Sequence, residues 1–339
     1  MTDTKPASSA LSAKPMSVRI GYGAAGIGNL YEAVPEAVAD ATLEEAYAAG
    51  IRYFDTAPLY GSGLSEIRVG RFLRQVPRDS FLLSTKVGRY FVPPYGETFK
   101  GTGYFAPLPL KPVIDYGYDA TFRSLEQSFA RLGVSRIDIL YIHDIDRRNQ
   151  GEAFDLNYRT AVEGCYRALD ELRRAGQVGA IGIGVNESEV ASSFIRDADL
   201  DIVMLAGRYS LLDQEALADF LPEASKRNVD VVAVGVFNSG ILAKGARPGA
   251  KFDYGDAPAE IIEQTLKLNA VCDAFGIPIQ AAAVQFAFGH PAVKSVVLGM
   301  AKPERIRQNL AWFETPIPAA FWQRLKDDGL LGADVPTPA

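Results

Sequence analysis

Short apolar runs alternate with helix-period segments eight times along this chain, and that rhythm leaves few folds open. A buried parallel strand reads as a nearly continuous apolar run, and a helix between two such runs returns the chain to begin the next one parallel. The strand-like runs are 18–23, 51–55, 81–86, 137–143, 178–184, 202–205, 229–235 and 294–298. Helical patterns cover 35–49, 64–74, 119–132, 160–175, 187–196, 213–227, 258–275, 279–288 and 303–313. Pro35 opens the first, and Gly50, Gly133, Gly176 and Gly276 stand just past helix ends, where a left-handed residue closes the last turn. Eight strands with helices between them predict a closed (β/α)8 barrel (a TIM barrel), a single α/β domain. The expected limits are a disordered tail over 1–17, the barrel over 18–315 with a carboxyl-terminal helix, and a tail over 316–339.

At 339 residues, 48% hydrophobic and 22% charged, the chain suits one such barrel with additions. A net charge of −6 supplies no basic field for a phosphate backbone, so nucleic acid is not an expected partner. No apolar run approaches the roughly 20 residues of a membrane span, and 1–16 lacks the apolar core of a secretory signal. A cytoplasmic enzyme with a small-molecule substrate is the default; oligomeric state is silent. Cys165 and Cys272 fall in predicted helices and read as buried thiols, and two histidines give no metal-site spacing, so no metal is expected. The connection 88–118 is far longer than a usual strand-to-helix loop and rich in aromatic residues. It reads as a substrate wall, a partner surface or disorder.

Gly21, Gly23 and Gly26 match the G-x-G-x-x-G dinucleotide fingerprint. That motif needs a helix starting among its glycines, so that the amino end faces a pyrophosphate. Here helical periodicity waits until after Pro35, and the glycines instead predict a tight strand-to-loop turn near a bound cofactor, with Gly23 in contact with it.

Four polar residues follow apolar runs: Asp55, Tyr60 in the loop beyond, Lys86 and His143. Singly, each has a plain structural use: a loop cap, a packed turn, a solvated strand end, a satisfied carbonyl. At the carboxyl ends of barrel strands, where such folds build active sites, they form a proton-transfer set. A tyrosine with pKa of about 10 is a poor base near neutrality, but a cation about 4 Å away is worth up to about 4 kcal/mol at an effective dielectric near 20. Lys86 would prime Tyr60, Asp55 would keep Lys86 charged, and His143 would orient the reacting oxygen.

These stretches resemble the aldo-keto reductase superfamily. Gly50-Ile-Arg-Tyr-Phe-Asp-Thr-Ala-Pro-Leu-Tyr-Gly with Glu66 and Gly70, the run from Leu125 to His143, and Pro303-Glu-Arg-Ile-Arg-Gln-Asn are similar to its three signatures, in order. The resemblance implies an NAD(P) cofactor bound without a Rossmann domain, and Asp55, Tyr60, Lys86 and His143 as catalytic tetrad. It implies Asn186 at the carboxamide, Phe237, Asn238, Ser239 and Gly240 as a pyrophosphate loop, and Met300, Lys302, Arg305, Gln308 and Asn309 around the adenosine end. Gly299 stands where many NADP-using relatives carry a lysine, which favours NAD. Val234 or its neighbour replaces the usual stacking tyrosine, and Ala206 the usual glutamine. The long aromatic loop, the 115–119 stretch and His143-Asp144 resemble the branch oxidising cyclic hemiacetals (aldoses at C1, or pyridoxal) to lactones, which would use Tyr60 as general base. A pyridoxal-specific enzyme, a general NADPH-dependent aldehyde or ketone reductase and a non-catalytic nucleotide-sensing barrel are the alternatives.

Overall fold

The computed structural model describes residues 18–96 and 103–338, so the expected amino-terminal tail over 1–17 lies outside the described residues. Eight parallel strands close on themselves in sequence order: β1 (Ile20–Gly23), β2 (Tyr53–Asp55), β3 (Leu82–Val87), β4 (Ile139–His143), β5 (Ala180–Val185), β6 (Ile202–Ala206), β7 (Asp230–Val234) and β8 (Val293–Gly299). Closure comes from β1 pairing with β8 on one side, Gly23 opposite Gly299, and with β2 on the other, Gly23 opposite Asp55. Each strand matches an apolar run of the sequence, with its ends displaced by a residue or two in either direction.

Alternation along the strands sorts side chains into two cores. Outward residues such as Phe54, Leu83, Leu140 and Ile183 pack beneath the helices. Inward residues Tyr53, Ile139, Tyr141, Ile202, Met204, Val232 and Val297 fill the barrel as stacked layers. The Tyr53 hydroxyl contacts that of Tyr141 at 3.2 Å and Ser84 Oγ at 3.0 Å, so the polar tips of this interior are satisfied.

Three differences from the sequence reading have local causes. The expected helix over 213–227 is a 3-10 turn at Glu215–Leu217 followed by a helix at Phe220–Arg227. Pro222 is tolerated only in a first turn, so the helix begins just before it. The helix expected from 160 starts earlier, at Phe154, and widens into a π-helical stretch at Ala161–Tyr166. The expected tail 316–339 carries a further helix, Ala319–Asp327, with Phe321, Trp322 and Leu325 buried against the barrel's outer layer. Spacings of one, three and four put those three side chains on one helical face.

Within the long connection, Arg89–Val92 and Lys111–Ile114 pair as an antiparallel hairpin. Between its two strands, Leu108 N–H donates to the Gly61 carbonyl at 3.0 Å and Phe105 N–H to that of Asn29 at 2.9 Å, which ties this segment to the loops at the barrel mouth. Among the described residues, no single helix is long and apolar enough to cross a membrane.

Candidate active site

Period-two alternation lifts a polar layer directly above the tyrosine layer. Asp55 lies two residues beyond Tyr53, Lys86 two beyond Ser84, and His143 two beyond Tyr141, so all three point into the mouth of the barrel. Gly184 on β5 leaves room beside them: a Cβ there would lie 3.7 Å from Lys86 Cε and 3.9 Å from His143 Cδ2.

Lys86 is only 1% exposed. Its Nζ donates to Asp55 Oδ2 at 2.7 Å, to Asp55 Oδ1 at 2.9 Å and to the Thr56 carbonyl at 2.9 Å. Ser84 Oγ donates to Asp55 Oδ1 at 2.6 Å. Burial pushes the Asp55 carboxyl above its ordinary range, and Lys86 and Ser84 oppose that push.

Tyr60 stands over this pair, with Lys86 Nζ 4.8 Å from its ring centroid. The His143 ring meets it edge-on at 5.9 Å and the Tyr104 ring lies 6.2 Å away. Desolvation, reinforced by Asp55 and Asp144 and opposed by Arg89, raises the phenol well above its usual pKa. Lys86 spends its three protons on Asp55 and Thr56, and the expected lowering of Tyr60 by this cation is outweighed by burial and the nearby carboxylates. His143 is held well below the ordinary imidazole range by burial and by the cations Arg89 and Lys86, so the ring is neutral at pH 7.

Tyr60 owes its place to glycine. Gly28, in the 3-10 turn Gly26–Gly28, packs so tightly that a Cβ would lie 2.9 Å from the Tyr60 carbonyl carbon. No helix begins among these glycines; the first starts at Glu36. They serve backbone approach, as the spacing argument expected.

Arg89, Tyr104 and Tyr254 also reach the site and were not singled out from the sequence. Arg89 follows Gly88 at the start of the hairpin and places Nη2 2.8 Å from Asp144 Oδ2. Tyr254 sits at the tip of a second hairpin, Lys251–Phe252 with Gly255–Asp256, and its hydroxyl donates to Asn186 Oδ1 at 3.1 Å. Arg148 and Arg208 hold the neighbouring Asp253 at 2.8 Å and 2.7 Å. Loops leave no period to read; the available signal was an arginine directly after a glycine at a strand end.

The remaining expected contacts group at the ends of β5, β7 and β8. Asn186 follows β5, and its Nδ2 donates to Asp146 at 3.1 Å. Phe237 to Gly240 form a turn after β7 in which Asn238, Ser239 and Gly240 have φ of 45°, 56° and 96°. After β8, Lys302 faces Glu32 at 3.4 Å, and Arg305 donates to Gln308 Oε1 at 2.6 Å. Asn309 is buried, with Nδ2 on the Arg305 carbonyl. Met300 follows β8; its side chain is buried in the outer core and its carbonyl accepts from Tyr22 Oη at 2.8 Å.

The aldo/keto reductase family model matches residues 19–327. The chain is 44% identical over 322 residues to pyridoxal 4-dehydrogenase of Microbacterium luteolum, covering 92% of this chain and 94% of that one. It is 39% identical over 343 residues to D-threo-aldose 1-dehydrogenase of a Pseudomonas species, covering 100% of both. Among solved structures, an aldo-keto reductase of Bacillus halodurans in its holo form superposes with a TM-score of 0.71 at 24% identity, covering 94% of this chain and 93% of that one. That likeness bears on the fold alone. A barrel closed in sequence order and a family match across nearly its whole length place the chain in the aldo/keto reductase family of NAD(P)-dependent oxidoreductases.

Proposed function

We propose that the chain oxidises a cyclic hemiacetal, an aldose at C1 or pyridoxal, to a lactone, with Tyr60 as general base. One observation carries the reading: the Tyr60 ring lies between an ammonium clamped by Asp55 and a neutral imidazole, at 4.8 Å and 5.9 Å. The two dehydrogenases at 44% and 39% identity support the substrate class.

The family's cofactor fits the residues at the ends of β7 and β8. Three consecutive left-handed residues at 238–240 form the kind of concave backbone that gathers N–H groups around an anion. The buried Oδ1 atoms of Asn238 and Asn309 lack a partner among the described residues and would accept from a ligand. Asn186 would meet the carboxamide, Gly23 the nicotinamide end, Phe237, Ser239 and Gly240 the pyrophosphate, and Lys302, Arg305 and Gln308 the adenosine. NAD is the favoured form. Gly299 carries no cation although a side chain there would meet nothing within 4 Å, and Lys302 and Arg305 already have partners.

Bound NAD(P) supplies the hydride acceptor; the protein's work is the proton. As the hydrogen leaves C1 with its electron pair, the C1 hydroxyl gives its proton to Tyr60 Oη and the carbon–oxygen double bond forms. His143 keeps the reacting oxygen aligned, and Lys86 steadies the developing phenolate while Asp55 keeps Lys86 charged. The raised pKa of Tyr60 favours a second reading, carbonyl reduction with Tyr60 as proton donor.

The test follows NADH or NADPH formation with L-fucose, D-arabinose, L-galactose and pyridoxal, alongside aldehyde reduction in the reverse direction. The expected result is oxidation of at least one hemiacetal, faster with NAD. Tyr60→Phe should lower kcat about 10²- to 10⁴-fold while cofactor affinity stays the same. If that variant keeps most of its turnover, Tyr60 is not the proton-transfer group.

A further inference from the structure

The residue after His143 is held with unusual care. Asp144 has φ of 54°, a left-handed conformation uncommon for any residue but glycine. Its backbone is fixed by three hydrogen bonds: its N–H donates to the Gly184 carbonyl at 2.9 Å, and its own carbonyl accepts from Gln150 Nε2 at 2.7 Å and from Tyr116 Oη at 3.3 Å. Tyr116 Oη also donates to the His143 carbonyl at 2.8 Å. Strain so over-determined is typical of a site that must aim a side chain.

What it aims is a carboxylate. Oδ2 is taken by Arg89 at 2.8 Å in a pair whose side chains are 7% and 13% exposed. Oδ1 has no such partner and lies 3.4 Å from His143 Nε2. Asp144 acts electrostatically on Tyr60, Tyr104 and Tyr254, so it faces the same mouth as the reacting groups. Behind it, Arg89 Nε is buried without a hydrogen-bond partner among the described residues. The proton transfer described above uses neither Arg89 nor Asp144.

We propose that Asp144, gripped by Arg89, is a substrate-recognition residue that accepts a hydrogen bond from a hydroxyl on the carbon next to the reacting one. The inference rests on the proposed function in taking His143 as the group that meets the reacting oxygen. An imidazole nitrogen and a carboxylate oxygen 3.4 Å apart are spaced for two oxygens on adjacent carbons. Arg89 fixes the carboxylate's charge and direction, so an α-hydroxy carbonyl compound or its hemiacetal (an aldose, and not pyridoxal, of the two substrates proposed above) is taken in preference to the same skeleton without the hydroxyl. The buried acceptor, already desolvated, would stay unpaired against the deoxy analogue, and that penalty is the source of discrimination.

The test compares reduction of glyceraldehyde and 3-hydroxypropanal, which differ only in the hydroxyl next to the carbonyl, by the cofactor-loaded enzyme, and does not depend on hemiacetal oxidation. Wild type should favour glyceraldehyde in kcat/KM by about tenfold or more, the worth of a hydrogen bond to a charged group. Asp144→Asn keeps the backbone conformation and a weaker acceptor, and should cut that ratio about tenfold through KM for glyceraldehyde. Asp144→Gly removes the acceptor while tolerating the left-handed φ, and should cut it further; Arg89→Gln should move the ratio the same way. The proposal is overturned if wild type shows no preference, if folded variants keep the wild-type ratio, or if both substrates fall together through kcat, which would mean that Asp144 only positions His143. An enzyme that keeps the preference but oxidises no hemiacetal retains this subsite and loses only the substrate class proposed above.

Discussion

His143 shows how one side chain can carry both a role and a liability. It is 6% exposed, feels two nearby cations, and has no partner for Nδ1 among the described residues. Its folded pKa is depressed below the unfolded value of about 6.5, so the unfolded chain takes up the proton first as pH falls. Stability is therefore intact above about pH 6.5 and is lost below it, by up to about 1.4 kcal/mol per pH unit from this group. Urea denaturation at about pH 7.5 and about pH 5.5 should show wild type losing about 1 kcal/mol more than His143→Gln. Equal losses would mean the imidazole is not held neutral. At this scale the sequence was informative about Asp55, Lys86 and His143, since each ends an apolar run. It was uninformative about their pKa values: an arginine 54 residues before His143 and a carboxylate beside it depend on where a loop folds.

Among the elements, strands were more legible than the segments between them. A strand's apolar run records burial on both faces, and its alternation records which residues share the mouth. The 88–118 connection records neither, yet it contributes Arg89, Tyr104 and Tyr116 to the site. Glycine spacing at 21–28 was legible as a turn, though not what the turn carries. Because Gly28 lies against the Tyr60 backbone, Gly28→Ala should push the tyrosine loop outward. Overpacking of this kind costs about 1–3 kcal/mol, and a displacement approaching 1 Å at the reacting group can cost about 10²-fold in rate. We expect kcat to fall more than tenfold while far-ultraviolet circular dichroism stays native. Retained kcat in a folded Gly28→Ala protein would show that the turn does not set the Tyr60 position.

Across the whole molecule, eight alternations are enough to specify closure, because each apolar run needs helices on its outer side and neighbours on both edges. The carboxyl-terminal segment was less legible. Phe321, Trp322 and Leu325 are too few to declare a helix until the surface they cover exists, and Phe275 and Phe286 provide that surface at ring distances of 5.6 Å and 6.3 Å. The chain's two tryptophans fall on opposite sides of this distinction. Trp322 is locked in the outer core, 2% exposed. Trp312 is half-buried, and its indole meets the Phe237 ring at 6.1 Å, at the head of the turn assigned to the pyrophosphate. With the pyrophosphate at that turn, as proposed, the molecule would carry a built-in optical gauge of dinucleotide occupancy. Emission at 340 nm or so should be quenched as NAD is titrated in, the response should vanish in Trp312→Phe, and a response that instead follows Trp322 would move the dinucleotide to another face of the barrel.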